Sequence, residues 1–373
     1  MTYLDHAATS YPKPQAVRRA LSEALTDFGG NPGRGGHRLS IATAEMVYDC
    51  RVELAELFGV SAPERIIFTA GATMALNLAI LTRVRRGMHI LISDREHNAV
   101  LRPILRLARE GIAEYDIYPT GGDVISAITE RIRPSTAIVV ACHVSNVSGF
   151  TLPLPRIADL CKERGLSLIV DAAQSAGHIP IDLEKIPCDA FCAPAHKGLL
   201  GIAGCGFAIL DRAEGLPPFL SGGSGTNSLS HDMPEELPER YEAGTLPTAA
   251  IAALRAGVRY VRDLGIEQIA AAENALRSRI LEGLSVLPRI CLYEPDCQGG
   301  LIAFNHRDIP PEQLARLLDE RGICVRAGYH CAPLAHRTLA TPGGCVRISI
   351  GCGNLPSDGD RFLGAMSDIL RKK

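Results

Sequence analysis

Apolar runs of strand length alternate with segments of helical periodicity from about residue 40 to residue 210, and this alternation most constrains the fold. The predicted strands are Arg65–Thr69, Met88–Ile92, Glu114–Tyr118, Thr136–Ala141, Leu168–Val170 and Phe207–Leu210. Strands that are apolar throughout are typical of a mostly parallel sheet covered by helices on both faces. The sequence therefore predicts an α/β fold, in which the last of these strands could run antiparallel.

The segments between these strands have the apolar spacing of helices. The predicted helices are Ser40–Phe58, Ala72–Leu81, Asn98–Arg109, a segment around Val124–Arg131, and Pro155–Arg164. Serine is a favoured N-cap residue, so we expect Ser40 to cap the first of these helices.

The sequence changes in character after Ala213. Residues 215–248 are rich in Gly, Ser and Pro and predict a long irregular segment, which in a compact protein is usually functional. Two alanine-rich helices are predicted within Ala249–Leu287, followed by a smaller α+β unit. Its predicted elements are Leu301–Phe304, Pro311–Arg321, Gly322–Val325, Val346–Ile350 and Ser357–Arg371. We expect a large domain of residues 16–248 and a small domain of residues 1–15 and 249–373.

Composition excludes several classes of function. The 373 residues are 46% hydrophobic and 21% charged, with a net charge of −2 and no block of Lys or Arg. This balance gives no support for a nucleic-acid or anionic-membrane partner, and no apolar run reaches membrane-spanning length. The amino terminus lacks a basic segment followed by an apolar run, so we expect a cytoplasmic protein. Eleven of the twelve cysteines are interpreted as structural free thiols, and no zinc-site spacing is present.

Asp171 and Lys197 are the residues that point to a specific chemistry. Asp171 ends a predicted buried strand, and Lys197 follows a short apolar run and His196. A carboxylate can keep a pyridinium nitrogen charged, and a lysine can form a Schiff base. Together they are the minimum apparatus of an enzyme that uses pyridoxal 5'-phosphate (PLP).

Other polar residues follow the ends of predicted strands, where open α/β sheets bind ligands. Thr73 lies at the start of the helix that follows Arg65–Thr69, a position that favours an anion such as phosphate, although a plain helix cap is the alternative. His97 could stack on a flat ring or be an ordinary polar loop residue. Asn146 and Gln174 fall at the same predicted edge. The glycines of Gly201–Gly206 do not have the spacing of a dinucleotide site.

A polar loop, RAGYHC at residues 326–331, precedes the strand that contains Arg347. An arginine within a strand needs an anionic partner, either a substrate carboxylate or a structural carboxylate, and both remain open. Arg326, His330 and His336 lie near Cys331 in sequence and could favour its thiolate form, although a small buried thiol is the commoner role of a single cysteine.

These motifs resemble those of the cysteine desulfurase and selenocysteine lyase family of class-V, fold-type I PLP enzymes. The resemblance runs nearly end to end through YLDHAATS (3–10), NPGRGGHRLS (31–40), EHN (96–98), DAAQSAGH (171–178), HKGLLG (196–201), EAGT (242–245) and RAGYHCAPLAHR (326–337). It implies a large domain with a mostly parallel, seven-stranded sheet, a small α+β domain that carries the cysteine loop, and a homodimer that shares its active sites.

The resemblance also implies roles for individual residues. Lys197 would hold PLP covalently, His97 would stack on the ring, and Cys331 would accept sulfur. The other cofactor contacts would be Ala72, Thr73, Asn146, Asp171, Gln174, His196 and, from the second subunit, Thr245. The substrate pocket would comprise Arg347, Arg326, Asn146, Arg34 and Ala8. The chain departs from the family in having Pro194 where a serine often precedes the lysine motif. The short interval between Cys331 and Arg347 resembles the SUF-type (group II) enzymes.

The implied reaction converts L-cysteine to L-alanine and leaves a persulfide on Cys331, from which a sulfur-acceptor protein or small thiol would take the sulfur. The nearest alternative is a selenocysteine lyase that acts on L-selenocysteine. A C–S lyase or an aminotransferase is a more distant alternative, against which the RAGYHC motif argues. A partner protein without turnover is another, against which the intact lysine, aspartate and cysteine argue.

Overall fold

The computed structural model describes residues 1–33 and 35–371. The strands are β1 (Thr2–Tyr3), β2 (Ile66–Thr69), β3 (Met88–Ser93), β4 (Ala113–Tyr118), β5 (Thr136–Cys142), β6 (Ser167–Asp171), β7 (Ala190–Pro194), β8 (Gly206–Leu210), β9 (Ile290–Tyr293), β10 (Leu301–His306), β11 (Ile323–Cys324), β12 (Arg326–Gly328) and β13 (Cys345–Ser349). The helices are α1 (Gln15–Thr26), α2 (Arg38–Phe58), α3 (Ala72–Arg83), α4 (Asn98–Arg109), α5 (Val124–Thr129), α6 (Leu154–Arg164), α7 (Thr248–Leu264), α8 (Ile266–Ser285), α9 (Pro311–Asp319), α10 (Pro333–Thr338) and α11 (Pro356–Arg371).

Seven strands form the large sheet, in the order β2-β8-β7-β6-β5-β3-β4. Strands β3 to β7 pair in parallel, and β8 runs antiparallel to both β2 and β7. The predicted α/β architecture is therefore confirmed, including the antiparallel direction that the sequence left open for Phe207–Leu210.

Strand β5 shows why the central strands are apolar throughout. Ile138 and Val140 belong to the hydrophobic core on one face of the sheet, whereas Val139 and Ala141 belong to the core on the other face. Successive side chains of a strand point to opposite faces, so a strand between two helical layers needs an apolar residue at every position.

A second, four-stranded antiparallel sheet has the order β12-β13-β10-β9, and a separate pair joins β1 to β11 in parallel. Helices α8, α9 and α11 supply much of the core on this sheet, with Phe304 of β10 against Phe362 of α11. Hydrophobic residues of α7 pack in the core of the large sheet, against α1 and α2. The assignment of residue ranges to two domains stays a prediction.

Some local predictions were wrong. Helix α2 begins at Arg38, and its cap is His37, whose ring accepts a hydrogen bond from the Ser40 N–H, so Ser40 is not the cap. The Ser40 hydroxyl instead donates to the carbonyl of Asn31. Helix α1 and strand β9 were not predicted, and the polar loop after Arg326 contains both β12 and α10. The irregular segment is confirmed, because residues 211–247 form neither helix nor strand.

Within residues 1–33 and 35–371, every helix is too short or too polar to cross a bilayer.

Candidate active site

A cavity of about 510 Å³ lies at the carboxyl ends of β3, β5 and β6, beside the start of α3. Eight of the predicted site residues line it: Ala72, Thr73, His97, Asn146, Asp171, Gln174, His196 and Lys197. They come from separate loops that the parallel strands deliver to one edge of the sheet, which is the edge where ligands of such sheets bind. The juxtaposition expected from sequence is therefore present for these eight residues.

Asp171 is buried and Lys197 is half-buried, and desolvation shifts the pKa values of the two groups in opposite senses. Desolvation raises the pKa of Asp171, while a hydrogen bond from the Ala173 N–H (2.9 Å) and the charge of Lys197 oppose that rise. Desolvation lowers the pKa of Lys197 to about 8, and the Asp171 carboxylate opposes that fall. An amine with this pKa has a much larger neutral fraction near physiological pH than an ordinary lysine, and the neutral form can act as a nucleophile or base.

Two glycines bring the loops of Asp171 and Lys197 together. A Cβ at Gly177 would lie 2.5 Å from the carbonyl carbon of Gly198, and a Cβ at Gly198 would lie 2.3 Å from the carbonyl oxygen of Ala176. Contacts this short do not occur for real side chains, so the two loops can approach only because both positions lack one. Gly177 belongs to DAAQSAGH and Gly198 to HKGLLG, but nothing in the sequence indicates that the two glycines contact each other.

The start of α3 is an open anion site. Gly71 precedes the helix with φ +149°, a conformation suited to glycine, and no side chain caps the helix. A side-chain cap is therefore absent here, and the phosphate site stays a prediction. Ala72 and Thr73 place the first turn on the cavity wall, where free backbone N–H groups and the helix dipole favour an anion. Strand β8 can approach the start of α3 closely because residue 206 is glycine, since a Cβ there would lie 2.6 Å from the Cα of Gly71.

His97 is held as the N-cap of α4, because its Nδ1 accepts a hydrogen bond from the Ala99 N–H at 3.0 Å. Burial and the nearby charge of Lys197 lower its pKa to about 4, so the ring on the cavity wall is neutral. His196 is similar, since burial lowers its pKa to about 4. Each histidine thus presents a neutral ring or nitrogen to the cavity.

Two amide side chains connect the cavity to neighbouring segments. The Nδ2 of Asn146 donates to the carbonyl of His330 at 2.7 Å, and the Nε2 of Gln174 donates to the carbonyl of Ala7 at 3.0 Å. The Oδ1 of Asn146 is buried and has no partner among the described residues, and Asn146 is one of the residues that line the cavity. An unpartnered buried acceptor at this position is suited to contact a ligand that carries a donor.

Arg347 has the structural carboxylate partner that the sequence left open, and its role in binding a substrate carboxylate stays a prediction. Its Nη2 lies 2.8 Å from a carboxylate oxygen of Asp5, so it has a structural ion pair. Its Nε is buried without a partner in the described part of the chain, so one N–H remains for a further acceptor. Ala8 lies in the turn after Asp5, and Arg326 is exposed on β12, opposite Arg347 in the sheet register.

Cys331 is exposed and has φ +57°, a left-handed conformation that is uncommon for a residue with a side chain. Its carbonyl accepts a hydrogen bond from the Asn98 N–H at 2.8 Å, which ties the loop to the residue after His97. Burial lowers the pKa of His330 to about 3 and also lowers that of His336. Both histidines are therefore neutral near neutral pH.

The other described residues of the predicted site, Ala8, Arg326, Cys331, Arg347 and Thr245, are not part of the cavity wall. Thr245 does not line the cavity, and its hydroxyl is 3.5 Å from the side-chain nitrogen of Asn31. Its expected contact with the cofactor of a second subunit stays a prediction. Arg34 lies outside the described residues.

Sequence reasoning missed two carboxylate side chains beside the site, the buried Glu96 and the half-buried Asp5. Glu96 accepts hydrogen bonds from the Ser93 hydroxyl (2.5 Å) and the Cys142 N–H (2.8 Å), and burial raises its pKa to about 8. Asp5, the partner of Arg347, was the other. Asp5 lies in YLDHAATS and Glu96 in EHN. The only sequence feature that could have indicated them was a charged residue shortly after an apolar segment.

The chain is similar to known proteins over nearly its whole length. The family model "Aminotransferase class-V" matches residues 2–362. A probable cysteine desulfurase of Methanothermobacter thermautotrophicus is 33% identical, over 93% of this chain and 89% of that protein. The apo structure of a cysteine desulfurase from Thermococcus onnurineus has a TM-score of 0.93 at 30% identity, over 100% of this chain and 95% of that one. A cysteine desulfurase of Escherichia coli, solved as an S-sulfonic acid, has a TM-score of 0.90 at 28% identity and covers 99% of this chain and 94% of its own.

The fold is therefore fold type I of the PLP-dependent enzymes, as predicted. The chain belongs to the class-V aminotransferases and, among them, to the cysteine desulfurases, a PLP-dependent family.

Proposed function

We propose that this protein is a cysteine desulfurase that binds PLP, converts L-cysteine to L-alanine and retains the sulfur as a persulfide on Cys331. One observation carries the proposal. Buried Asp171 and half-buried Lys197 line the same cavity as the uncapped start of α3. A nitrogen partner, a reactive amine and an anion site are what a phosphorylated pyridine aldehyde requires.

The residues of the cavity fit PLP. Ala72, Thr73 and His196 would hold the phosphate, with Thr245 of a second subunit, and Asp171 would pair with the ring nitrogen. His97 would stack on the ring, Gln174 would bond its phenolic oxygen, and Asn146 would contact ring or substrate. The unpartnered Oδ1 of Asn146 and the free first turn of α3 are the observations that support this fit. When bound, PLP would supply a sink for the electrons released at the substrate Cα.

Lys197 would have two roles. Its amine would link the cofactor covalently, and once the substrate amine replaced it, the neutral amine would remove the Cα proton. The depressed pKa of Lys197, about 8 because of burial, supports both roles, since each needs the unprotonated amine. The Asp171 carboxylate lies close enough to Lys197 to oppose the fall in the pKa of its amine.

Cys331 would attack the sulfur of the substrate as a thiolate. The Cβ–S bond of the substrate breaks and an S–S bond forms on Cys331. The Cβ gains hydrogen and is reduced by two electrons, while the sulfur pair is oxidised by two, so L-alanine and a persulfide balance L-cysteine and the Cys331 thiol. The exposure of Cys331 supports delivery of this sulfur to an acceptor protein or a small thiol.

Arg347 would bind the substrate carboxylate through the Nε–H that has no partner in the described chain. Arg326, which lies opposite Arg347 on β12, would add positive charge, and Ala8 would form part of the pocket wall together with Arg34. The short connection from Cys331 to Arg347 supports a SUF-type enzyme, whose acceptor must come to the cysteine. A homodimer that shares its active sites completes the proposal.

The test compares wild type with Cys331→Ala on L-cysteine and L-selenocysteine, with alanine, sulfide or selenide, pyruvate and enzyme-bound persulfide as readouts. We expect alanine and persulfide from wild type, and loss of cysteine turnover in the variant. Activity on both substrates without Cys331 would favour a selenocysteine lyase, and pyruvate would identify a C–S lyase. Borohydride trapping followed by peptide mapping should place the cofactor on Lys197, and a label elsewhere contradicts the proposal.

A further inference from the structure

Three buried side chains of the kind that bind zinc lie together directly behind the Cys331 loop. They are His330, His336 of α10 and Cys345 of β13, and none of them lines the PLP cavity. One ring nitrogen of each histidine and the Cys345 Sγ all lie within 4.8 Å of one another. The sequence did not reveal this group, because its members do not have the spacing of a zinc motif and meet only through the fold.

Hydrogen bonds set the tautomer of both rings. The Nε2 of His330 can only donate to its partner, the carbonyl of Cys345, at 3.1 Å. The Nδ1 of His336 lies 2.7 Å from the Thr341 hydroxyl and can donate to it, since that hydroxyl can itself donate to the carbonyl of His336 at 3.4 Å. Each ring thus carries its proton on one nitrogen and keeps a lone pair on the other.

The nitrogens with the lone pairs are the ones left without partners. The Nδ1 of His330 and the Nε2 of His336 are buried and make no hydrogen bond to any described residue. Histidines that bind metals use one nitrogen for the metal while the other donates to a carbonyl or hydroxyl that fixes the ring. Both His330 and His336 have this arrangement.

We propose that His330, His336 and Cys345 form a binding site for a zinc ion, with a fourth coordination position left to a non-protein ligand. Two imidazoles and a thiolate are a ligand set that zinc prefers over harder cations. Zinc bonds of about 2.0–2.3 Å separate tetrahedral ligand atoms by about 3.3–3.6 Å, so the three atoms need to approach by at most about 1.5 Å. Binding also displaces the Cys345 proton, which burial otherwise retains by raising the pKa of that thiol to about 12.

The site would fix the segment that carries the sulfur-accepting cysteine. His330 and Cys331 both have positive φ, +48° and +57°, a costly conformation that persists only where surrounding contacts enforce it. Asn146 and Asn98 hold the two carbonyls of this segment at 2.7 and 2.8 Å. A metal bond to the His330 ring would hold its side chain as well. This inference does not depend on the proposed desulfurase reaction.

The direct test uses the intact, PLP-loaded protein, reduced, freed of loosely held metal with a weak chelator, and titrated with Co²⁺ as a spectroscopic substitute for zinc. We expect one Co²⁺ per chain, visible d–d bands of tetrahedral intensity and a thiolate-to-cobalt charge-transfer band, with a Kd of about 1 µM or below. Zinc should displace the cobalt at the same stoichiometry. Failure of the wild type to bind one equivalent overturns the proposal without bearing on desulfurase activity.

Variants locate the site. Cys345→Ser should remove the charge-transfer band and weaken binding by at least about 100-fold, and His336→Gln should weaken it comparably while the band persists at saturation. Cys161→Ser, which alters a buried thiol of α6 in the large core, is the matched control and should bind like wild type. Cys331→Ser should also retain the band. If the band is instead lost in Cys331→Ser and kept in Cys345→Ser, the metal sits on the exposed cysteine and the proposal is wrong.

Discussion

The guanidinium of Arg347 lies 2.8 Å from the carboxylate of Asp5, although the two residues are 342 positions apart in the chain. A parallel bridge between Asp5 and Ser349 of β13 sets this distance. The Nη1 of Arg347 donates to the carbonyl of Asn146 at 2.8 Å, while its Nε has no partner among residues 1–33 and 35–371. Asp5 therefore both neutralises the buried arginine and fixes the direction of its free N–H.

The first prediction concerns this ion pair. Asp5→Asn should raise KM for L-cysteine by about tenfold with a much smaller change in kcat, because the arginine loses the charge that orients it for ground-state binding. Steady-state kinetics with L-cysteine measure both constants. Asp296→Asn, which alters an exposed aspartate, is the control and should behave like wild type. A lower KM in Asp5→Asn would show that Asp5 competes with the substrate carboxylate instead.

The second prediction concerns the pH dependence of cofactor capture. Only the neutral amine of Lys197 attacks an aldehyde, and burial lowers the pKa of Lys197 to about 8. The rate at which the apo-protein takes up PLP should therefore rise as pH increases toward about 8 and then level off. Asp171→Asn removes the charge that raises the pKa of Lys197. In this variant the rate of PLP uptake should therefore increase at a lower pH than in wild type. Absorbance at the cofactor band follows both reactions, and an unchanged midpoint in the variant contradicts the assignment.

The third prediction concerns the stability of the fold. The pKa of Glu96 is about 8 in the folded protein because the side chain is buried, compared with an ordinary value of 4.5. Between these two values the unfolded state releases a proton that the folded state retains, so this group makes stability fall as pH rises from 4.5 toward 8.

Glu96→Gln removes that titration and keeps an oxygen for the Ser93 hydroxyl and the Cys142 N–H. Its free energy of unfolding should therefore decline less than that of wild type between pH 5 and pH 8. Denaturant unfolding at several pH values measures the difference. Parallel pH profiles for the two proteins would mean that Glu96 is ionised in the folded state.

The fourth prediction concerns the meeting of the two active-site loops. Gly198→Ala should reduce stability by about 1–3 kcal/mol and weaken PLP binding, because the new Cβ would lie 2.3 Å from the Ala176 carbonyl. Gly343→Ala is the matched control, since a Cβ there meets no atom within 4 Å. Thermal unfolding and PLP titration report the two effects. Equal behaviour of the two variants would show that the loops separate without cost.

The sequence predicted what depends on short-range pattern. The all-apolar run at β5 follows from burial on both faces, and the position of Asp171 follows from the end of β6. It did not predict the ion pair of Asp5 and Arg347, because nothing in either segment specifies the other. His37 was missed as a cap because serine is the residue usually expected to accept a hydrogen bond from the first backbone N–H groups of a helix. Here the His37 ring accepts that bond, and such local competition decides where a helix begins.

The distant origin of Asp5 and Arg347 has a consequence for how the protein is made. The residues that line the cavity all lie between positions 70 and 219, so they have been translated well before Arg347. The small sheet that presents Arg347 can form only when β13 is available, near the end of synthesis. A nascent chain thus acquires its lysine and aspartate early and its carboxylate-binding arginine late. A ribosome-bound chain would therefore contain the cavity residues proposed to bind PLP before it contained the arginine proposed to bind the substrate carboxylate.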